Sequence, residues 1–184
     1  MTTLVRCQWA VEHPELIDYH DKIWGHPTHD DREIFGAYVQ CILHAGLLWT
    51  AMLKKRPIFE AAFSDFDVAK VASYDEGDIE RLTNTDGMIR NYVKINSVIH
   101  NAGKILAVQD EFGSFSNYLW RFVDDEPIIC DHDTSPAAPA AHKLSMDLRA
   151  RGFKFAGEAT AFGLMQDMGM VNDHDKTCFC YPKD

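Results

Sequence analysis

The feature that most constrains this chain of 184 residues is a pair of metal-binding residue types near its C-terminal end. His174 and Cys178 are four residues apart, so a helical turn would point both side chains the same way. Imidazole and thiolate donors together suit Zn²⁺, and a closed structural site needs two more of them. The best candidates are Cys7 and His20, near the other end of the chain. A Cys₂His₂ site built from these four residues would join two chain ends that otherwise tend to fray.

The cysteines also allow a simpler interpretation. The spacing of the four candidate ligands is not that of a C₂H₂ zinc finger, so the alternative is one buried thiol with scattered surface histidines. The chain has five cysteines, an odd number, and a disulfide framework is therefore not expected. Cys130 has no assigned role, and Cys180 is interpreted as a spare thiol beside the metal.

Charge and hydropathy exclude several classes of protein. The net charge of −10 argues against bulk electrostatic attraction to nucleic acid, so any DNA binding must use local basic groups and backbone amides. No apolar run reaches the roughly 18 residues that a membrane span needs. The first six residues lack the apolar core of a signal peptide. We therefore expect a cytoplasmic monomer with a single domain over residues 1–184.

The spacing of apolar residues predicts an all-α fold. No stretch shows sustained two-residue alternation, so no sheet is expected. Asp30 is the predicted N-cap of the first long helix, and Asp65 or Asp67 is the predicted cap of a later one. Pro57 is expected to end the second helix, and residues 124–139 are expected to form a long loop. The predicted helices cover residues 31–45, 47–55, 58–63, 68–73, 78–84, 91–112, 114–123, 141–150 and 158–168.

Residues 75–112 carry the most specific helical pattern: a short helix, a tight connection and a long amphipathic helix. Gly87 can adopt a positive φ in the connection, and the helix that follows offers free backbone N–H groups to an anion. Arg90 and Lys94 are one helical turn apart beside that point. This pattern predicts a helix–hairpin–helix that holds a DNA phosphate. A plain corner between two helices, with solvated charges, is the alternative.

Several motifs occur in a fixed order along almost the whole chain. They are Arg6-Cys7-x-Trp9, Tyr19-His20-Asp21-x-x-Trp24-Gly25, Ala45-Gly46-Leu47-x-Trp49, Leu53-Lys54-Lys55-Arg56, Gly87-Met88-Ile89-Arg90-Asn91-x-x-Lys94-Ile95, Arg151-Gly152-Phe153-Lys154-Phe155, Met165-Gln166 and Val171-Asn172-Asp173-His174-x-x-x-Cys178. Together they resemble the DNA-3-methyladenine glycosylase I family of bacterial base-excision repair enzymes. The resemblance implies a helix–hairpin–helix glycosylase fold. It also implies one structural Zn²⁺ per chain, bound by Cys7, His20, His174 and Cys178.

The resemblance further implies how such an enzyme works. It binds double-stranded DNA that contains alkylated bases, extrudes the damaged nucleotide and hydrolyses its N-glycosidic bond. Leu47 matches the residue that wedges into the base stack. The matching DNA contacts are Gly87, Arg90 and Lys94. Aromatic ring faces attract a cationic base, and the matching pocket residues are Trp9, Tyr19, Trp24 and Trp49.

The chain departs from the family pattern inside the pocket. Cys41 and Tyr19 match the positions that act on the base, and at position 41 the family has a glutamate that hydrogen-bonds the captured adenine. A neutral thiol is a weak hydrogen-bond partner, so its presence should cost about 1.5–3 kcal/mol, or about 10- to 100-fold in capture. Other usually polar positions are also changed, at Leu43-His44, Leu48, Ala137-Ala138-Pro139 and Ala159. The pocket is therefore expected to have lost much of its polar lining.

Three functional hypotheses follow from these departures. The first is an active glycosylase for alkylated purines with a weakened or shifted preference, in which a glutamate restored at position 41 should raise base release. The second is a paralogue that binds DNA or a flipped ligand without cleaving it. The third is a new activity of Cys41 and His44, which are three residues apart on one helix face and could form a thiolate–imidazole pair.

Overall fold

The chain is almost entirely helical in the computed structural model, which describes residues 4–44, 46–131, 133 and 135–183. These residues form nine α-helices: α1 (Pro14–Lys22), α2 (Asp31–His44), α3 (Trp49–Ala62), α4 (Val68–Ala72), α5 (Glu76–Asn84), α6 (Tyr92–Phe112), α7 (Phe115–Trp120), α8 (Ala138–Ala150) and α9 (Glu158–Asp167). Short 3₁₀ turns cover Gln8–Val11, Ser64–Phe66 and Arg121–Val123. The predicted all-α class is confirmed. Ala45, the predicted last residue of the first long helix, lies outside the described residues.

Side-chain caps explain why most helices begin where the sequence predicts. Asp30 accepts hydrogen bonds from the first-turn amides of α2, and Asn91 does the same for α6. Of the two candidate caps for α4, Asp67 is the one that accepts a hydrogen bond from its first turn. Asp75 and Asp78 form a capping box that starts α5. Apart from α3, these and the other predicted helices begin and end within about three residues of their expected bounds, α7 continuing as a 3₁₀ turn.

The prediction that Pro57 ends a helix is wrong. The single helix α3 runs through Pro57 and joins the two predicted segments 47–55 and 58–63. A proline inside a helix costs about 3 kcal/mol because one backbone hydrogen bond is lost. Pro57 is exposed, whereas Met52 and Phe59, on either side of it, are fully buried in one core. Burial of both halves of α3 therefore outweighs the lost hydrogen bond.

The connection between α5 and α6 forms the predicted helix–hairpin–helix and is held against α3. Gly87 has φ +75°, and a Cβ atom there would lie 2.5 Å from Cδ1 of Ile58. Lys55 Nζ donates a hydrogen bond of 2.6 Å to the Gly87 carbonyl. Only glycine combines this backbone conformation with so close an approach.

Two short strands depart from the helical pattern. β1 (Ile128–Ile129) pairs in parallel with β2 (Val171–Asn172), which connects the loop after α7 to the segment after α9. Strands of two residues carry no alternation that a sequence could reveal. The pairing places the segment before His174 next to the main core, which includes residues of α2, α6, α8 and α9. None of the helices within the described ranges is long and apolar enough to cross a membrane.

Candidate functional site

The four predicted metal ligands lie together. Donor atoms of Cys7, His20, His174 and Cys178 are all within 4.8 Å of one another, and all four residues are buried. His174 Nδ1 lies 3.2 Å from His20 Nε2 and 3.5 Å from Cys7 Sγ, and Cys178 Sγ lies 3.4 Å from His20 Nε2. A tetrahedral Zn²⁺ site with bonds of about 2.0–2.3 Å would space its donors by about 3.3–3.8 Å. This buried group could therefore hold a metal ion.

Neighbouring groups orient both imidazoles of this metal cluster. His20 Nδ1 lies 2.8 Å from Asp21 Oδ1, and Arg6 donates to both oxygens of the same carboxylate. His174 Nε2 lies 3.0 Å from the carbonyl oxygen of Trp24. Burial lowers the pKa of His174 to about 4, so its imidazole is neutral near pH 7. Such partners fix which ring nitrogen faces a bound metal.

A glycine lets the chain pass close to the metal cluster. Gly25 follows the turn after α1 with φ +73°, and a Cβ atom there would lie 2.9 Å from His174 Nε2. The Gly25 amide also donates to the carbonyl of Gln166 in α9. A side chain at position 25 would therefore push His174 and α1 apart.

Beside the metal cluster is a cavity of about 510 Å³. The rings of Trp9 and Trp24 meet edge to face at 4.8 Å, and those of Tyr19 and Trp49 at 5.4 Å. The structure thus brings the four predicted pocket aromatics together around one opening. The cavity is lined by Trp9, Tyr19, Trp24, Cys41, His44, Trp49, Ala159, Thr160, Gly163, Gln166 and Asp167.

A carboxyl group that the sequence analysis missed also lines this cavity. Asp167, at the end of α9, is 6% exposed. The hydroxyl of Tyr19 donates to its Oδ1, and the thiol of Cys41 lies 3.8 Å from its Oδ2 as donor. Burial raises the pKa of Asp167 to about 7, although both hydrogen bonds act in the opposite direction. The available signal was an acid at the end of a helix that is mostly apolar after its first residue, directly after the family motif Met165-Gln166.

The structure does not favour a cysteine–histidine nucleophile. Burial and the adjacent Asp167 carboxyl raise the pKa of Cys41 well above its usual range, so the thiol stays neutral. Its donated hydrogen bond goes to Asp167, and the ring of His44 packs edge to face on Trp49 at 5.0 Å. The expectation that the pocket has lost much of its polar lining is also corrected, because Asp167 supplies a carboxyl group.

The turn between α2 and α3 presents two leucines to solvent. Leu47 is 42% exposed and Leu48 is 77% exposed. Gly46 precedes them with φ +87°, and Trp49, which lines the cavity, follows at the start of α3. The predicted wedge Leu47 therefore lies on an exposed turn that leads directly into the pocket.

The two predicted phosphate contacts of the hairpin lie in different environments. Arg90 is exposed just before α6. Lys94 is only 7% exposed, and its Nζ donates a hydrogen bond of 2.7 Å to the carbonyl of Leu43 near the end of α2. Burial lowers the pKa of Lys94. The expectation that Lys94 contacts DNA is thus corrected: its side chain turns inward and stabilises the helix that precedes the leucine turn.

Comparison with known proteins gives one consistent answer. The methyladenine glycosylase family model matches residues 9–181. The DNA-3-methyladenine glycosylase 1 of Escherichia coli (strain K12) is 39% identical over 181 residues, which covers 96% of this chain and 97% of that protein. A crystal structure of 3-methyladenine DNA glycosylase I has a TM-score of 0.89 and 40% identity, with coverage of 97% and 100%. The Staphylococcus aureus 3-methyladenine DNA glycosylase I has a TM-score of 0.89 and 33% identity, with coverage of 97% for both chains.

Proposed function

We propose that this chain, which belongs to the methyladenine glycosylase family, is a DNA glycosylase that removes alkylated adenine of the 3-methyladenine type from double-stranded DNA. The observation that carries the proposal is the cavity of about 510 Å³, which combines four aromatic side chains with a buried carboxyl group. A cavity of this kind suits a flat base that carries a positive charge.

The chemistry follows from the state of the base. An N3-alkylated adenine is cationic while it is attached to the sugar, and it leaves as a neutral base. Cleavage of its N-glycosidic bond therefore needs little acid catalysis. Ring faces of Trp9 and Trp49 attract the extruded base, each good contact contributing about 0.5–2 kcal/mol. The pocket accelerates hydrolysis by orienting the extruded base while its N-glycosidic bond breaks. The bonding electron pair stays on the base, and water adds to the sugar carbon and loses a proton to solvent.

The structure favours capture of a base in this cavity over binding of DNA alone, and the relatives found by comparison are glycosylases. A paralogue that only binds DNA has no need of a carboxyl group inside a deep aromatic cavity, because burying one is costly. Asp167 nevertheless lies there and receives two hydrogen bonds. Buried groups with perturbed pKa values concentrate at functional sites.

DNA contacts are proposed on the face that carries the leucine turn and the hairpin. Leu47, with Leu48 beside it, would wedge into the stack and hold the extruded nucleotide out. The hairpin at Gly87 would bind a phosphate through backbone amides, with Arg90 close by. These local contacts would allow a chain of net charge −10 to bind DNA.

The metal cluster is proposed to hold one Zn²⁺ per chain through Cys7, His20, His174 and Cys178. Two thiolates and two neutral imidazoles suit this ion, and a set of four protein ligands leaves no position for substrate. The ion would therefore cross-link the fold and take no part in the reaction. The monomeric state and cytoplasmic location stay predictions.

A base-release assay tests the proposed activity. Duplex DNA treated with a methylating agent is incubated with the protein, and free 3-methyladenine is measured against a heat-only control. We expect release well above that control. Replacing Trp49 with Ala should lower release by about tenfold, since one aromatic contact is lost. Release by the wild-type protein that does not exceed the heat-only control would contradict the proposal.

A further inference from the structure

We propose that Asp167 is the base-recognising carboxyl group of this pocket, and that it takes over from α9 the task of the family glutamate at position 41. The inference rests on the proposed function, since it names the residue that recognises the base in the same cavity. The carboxyl group that recognises the base would then come from α9 instead of α2, where the family has its glutamate.

The position of Asp167 supports this exchange. Its Oδ2 atom lies 3.8 Å from the sulfur of Cys41, so the carboxyl occupies the space into which a longer side chain at position 41 would extend. Gly163 lies one turn earlier on α9, and a Cβ atom there would be 3.9 Å from the same sulfur. Both α9 residues line the cavity, so this face of α9 meets α2 at the pocket.

The hydrogen bonds around Asp167 leave it able to bind a base. Oδ1 accepts one hydrogen bond from the Tyr19 hydroxyl, and Oδ2 accepts a weak one from the Cys41 thiol. Each carboxylate oxygen can accept two hydrogen bonds, so capacity remains for an N–H group of a purine. The negative charge also favours a cationic base.

The residues at positions 41 and 167 depend on each other. The Cys41 thiol is a hydrogen-bond donor to the Asp167 carboxyl, whereas a glutamate there would place a second carboxylate within contact distance. Two carboxylates so close cannot both be ionised. A glutamate restored at position 41 alone should therefore fail to raise base release, which revises the expectation from sequence.

A smaller cavity of about 170 Å³ also has Asp167 in its lining, together with Arg56 and His26. The carboxyl thus lines two cavities, with a cation at the second one. Burial raises the pKa of Asp167, and the hydrogen bonds from Tyr19 and Cys41, followed by the positive charge of Arg56, lower it. This arrangement keeps the ionised form of Asp167 accessible near neutral pH, where a cationic nucleotide would be captured.

Four variants test the proposal: Asp167→Asn, Cys41→Glu, the double swap Cys41→Glu/Asp167→Ala, and Asp110→Asn as a control for loss of one exposed negative charge. The readouts are the dissociation constant of free 3-methyladenine from tryptophan fluorescence, base release from methylated DNA, and melting temperature. Asp167→Asn should weaken free-base binding and release by about 10- to 100-fold, while Asp110→Asn should change neither. The double swap should recover most of that loss, and Cys41→Glu alone should gain nothing.

The outcomes separate this inference from the proposed function. If the wild-type protein releases no base, the proposed function fails, and Asp167-dependent binding of free 3-methyladenine is still measurable. If Asp167→Asn binds and releases base as the wild-type protein does, the relocation is overturned. A purely structural Asp167 would instead leave the double swap without recovery. If Asp167→Asn melts several degrees lower, its loss of activity could come from unfolding. The result for the double swap then tests the proposal, because that variant carries its pocket carboxyl group on α2.

Discussion

At the scale of single residues, the pocket depends on one acid whose role no local signal reveals. Asp167 is the last residue of α9, and its role depends on hydrogen bonds from Cys41 and Tyr19, which are more than a hundred residues earlier in the chain. The aromatic residues and metal ligands were predictable because each falls in a family motif. The inward direction of Lys94 was not predictable, since a lysine at a helix start is usually solvated.

Burial of Asp167 predicts a pH-dependent change in stability. Its pKa rises from 3.8 to about 7 on folding, so the native state holds this proton more tightly than the unfolded state. The resulting stabilisation is complete below about pH 4 and is lost as the pH rises through 7. Asp167→Asn has no proton to lose, so its free energy of unfolding relative to the wild-type protein should increase, by a few kcal/mol at most, between about pH 4 and 7 and level off above that.

Urea denaturation of both proteins across this pH range measures the effect. Taking the difference between the two curves removes the contributions of groups that are unchanged, including the metal ligands. The titratable or charged side chains that line the two cavities with Asp167 are Tyr19, Cys41 and His44 in the larger one and Lys22, His26, Glu33 and Arg56 in the smaller one. Of these, Tyr19 and Cys41 have raised pKa values that keep them neutral in this range. Parallel curves for the two proteins would show that Asp167 does not titrate there.

At the scale of elements, local signals predicted most helices but not α1, and non-local contacts produced other differences. Asp30 and Asn91 mark the starts of α2 and α6 through bonds within a few residues. The continuation of α3 through Pro57 depends instead on a core assembled from distant segments. The pairing of β1 with β2 joins residues 43 positions apart and leaves no periodic pattern in either strand.

Two substitutions at the hairpin should affect different properties, one the affinity for DNA and the other the stability of the fold. Arg90→Ala removes an exposed cation, so DNA affinity should fall and the slope of log K against log salt should become shallower by about 1, with little change in melting temperature. Lys94→Met removes a buried donor from the Leu43 carbonyl, so stability should fall by about 1–3 kcal/mol while the salt slope stays unchanged. Titrations of duplex DNA at several salt concentrations, with thermal melts, distinguish the two. A shallower salt slope for Lys94→Met would show that its side chain reaches phosphate after all.

At the scale of the whole molecule, the metal cluster and the pocket share one packed unit. Cys7 and Cys178 belong to the same apolar cluster as Tyr19 and Trp24. The rings of Trp24 and His174 are 4.7 Å apart, edge to face. Removing a metal held between the segments around Cys7 and Cys178 should therefore loosen one side of the base pocket as well as those segments.

Chelation is the direct test of this connection. A strong chelator at neutral pH should release about one Zn²⁺ per chain, lower the melting temperature and weaken binding of free 3-methyladenine. Cys178→Ser should abolish metal binding, whereas Cys180→Ser, two residues away, should retain it. An unchanged melting temperature after complete metal removal would rule out a structural role for the site.

The order of the ligands along the chain has a consequence for folding during protein synthesis. Trp9, Tyr19 and Trp24 are synthesised at least 150 residues before the proposed metal ligands His174 and Cys178, which belong to the same packed unit. Until a nascent chain has been extended past Cys178, those rings lack the partners that hold them in place. The aromatic pocket would therefore mature after helices α2 to α9, whose residues are all synthesised before His174.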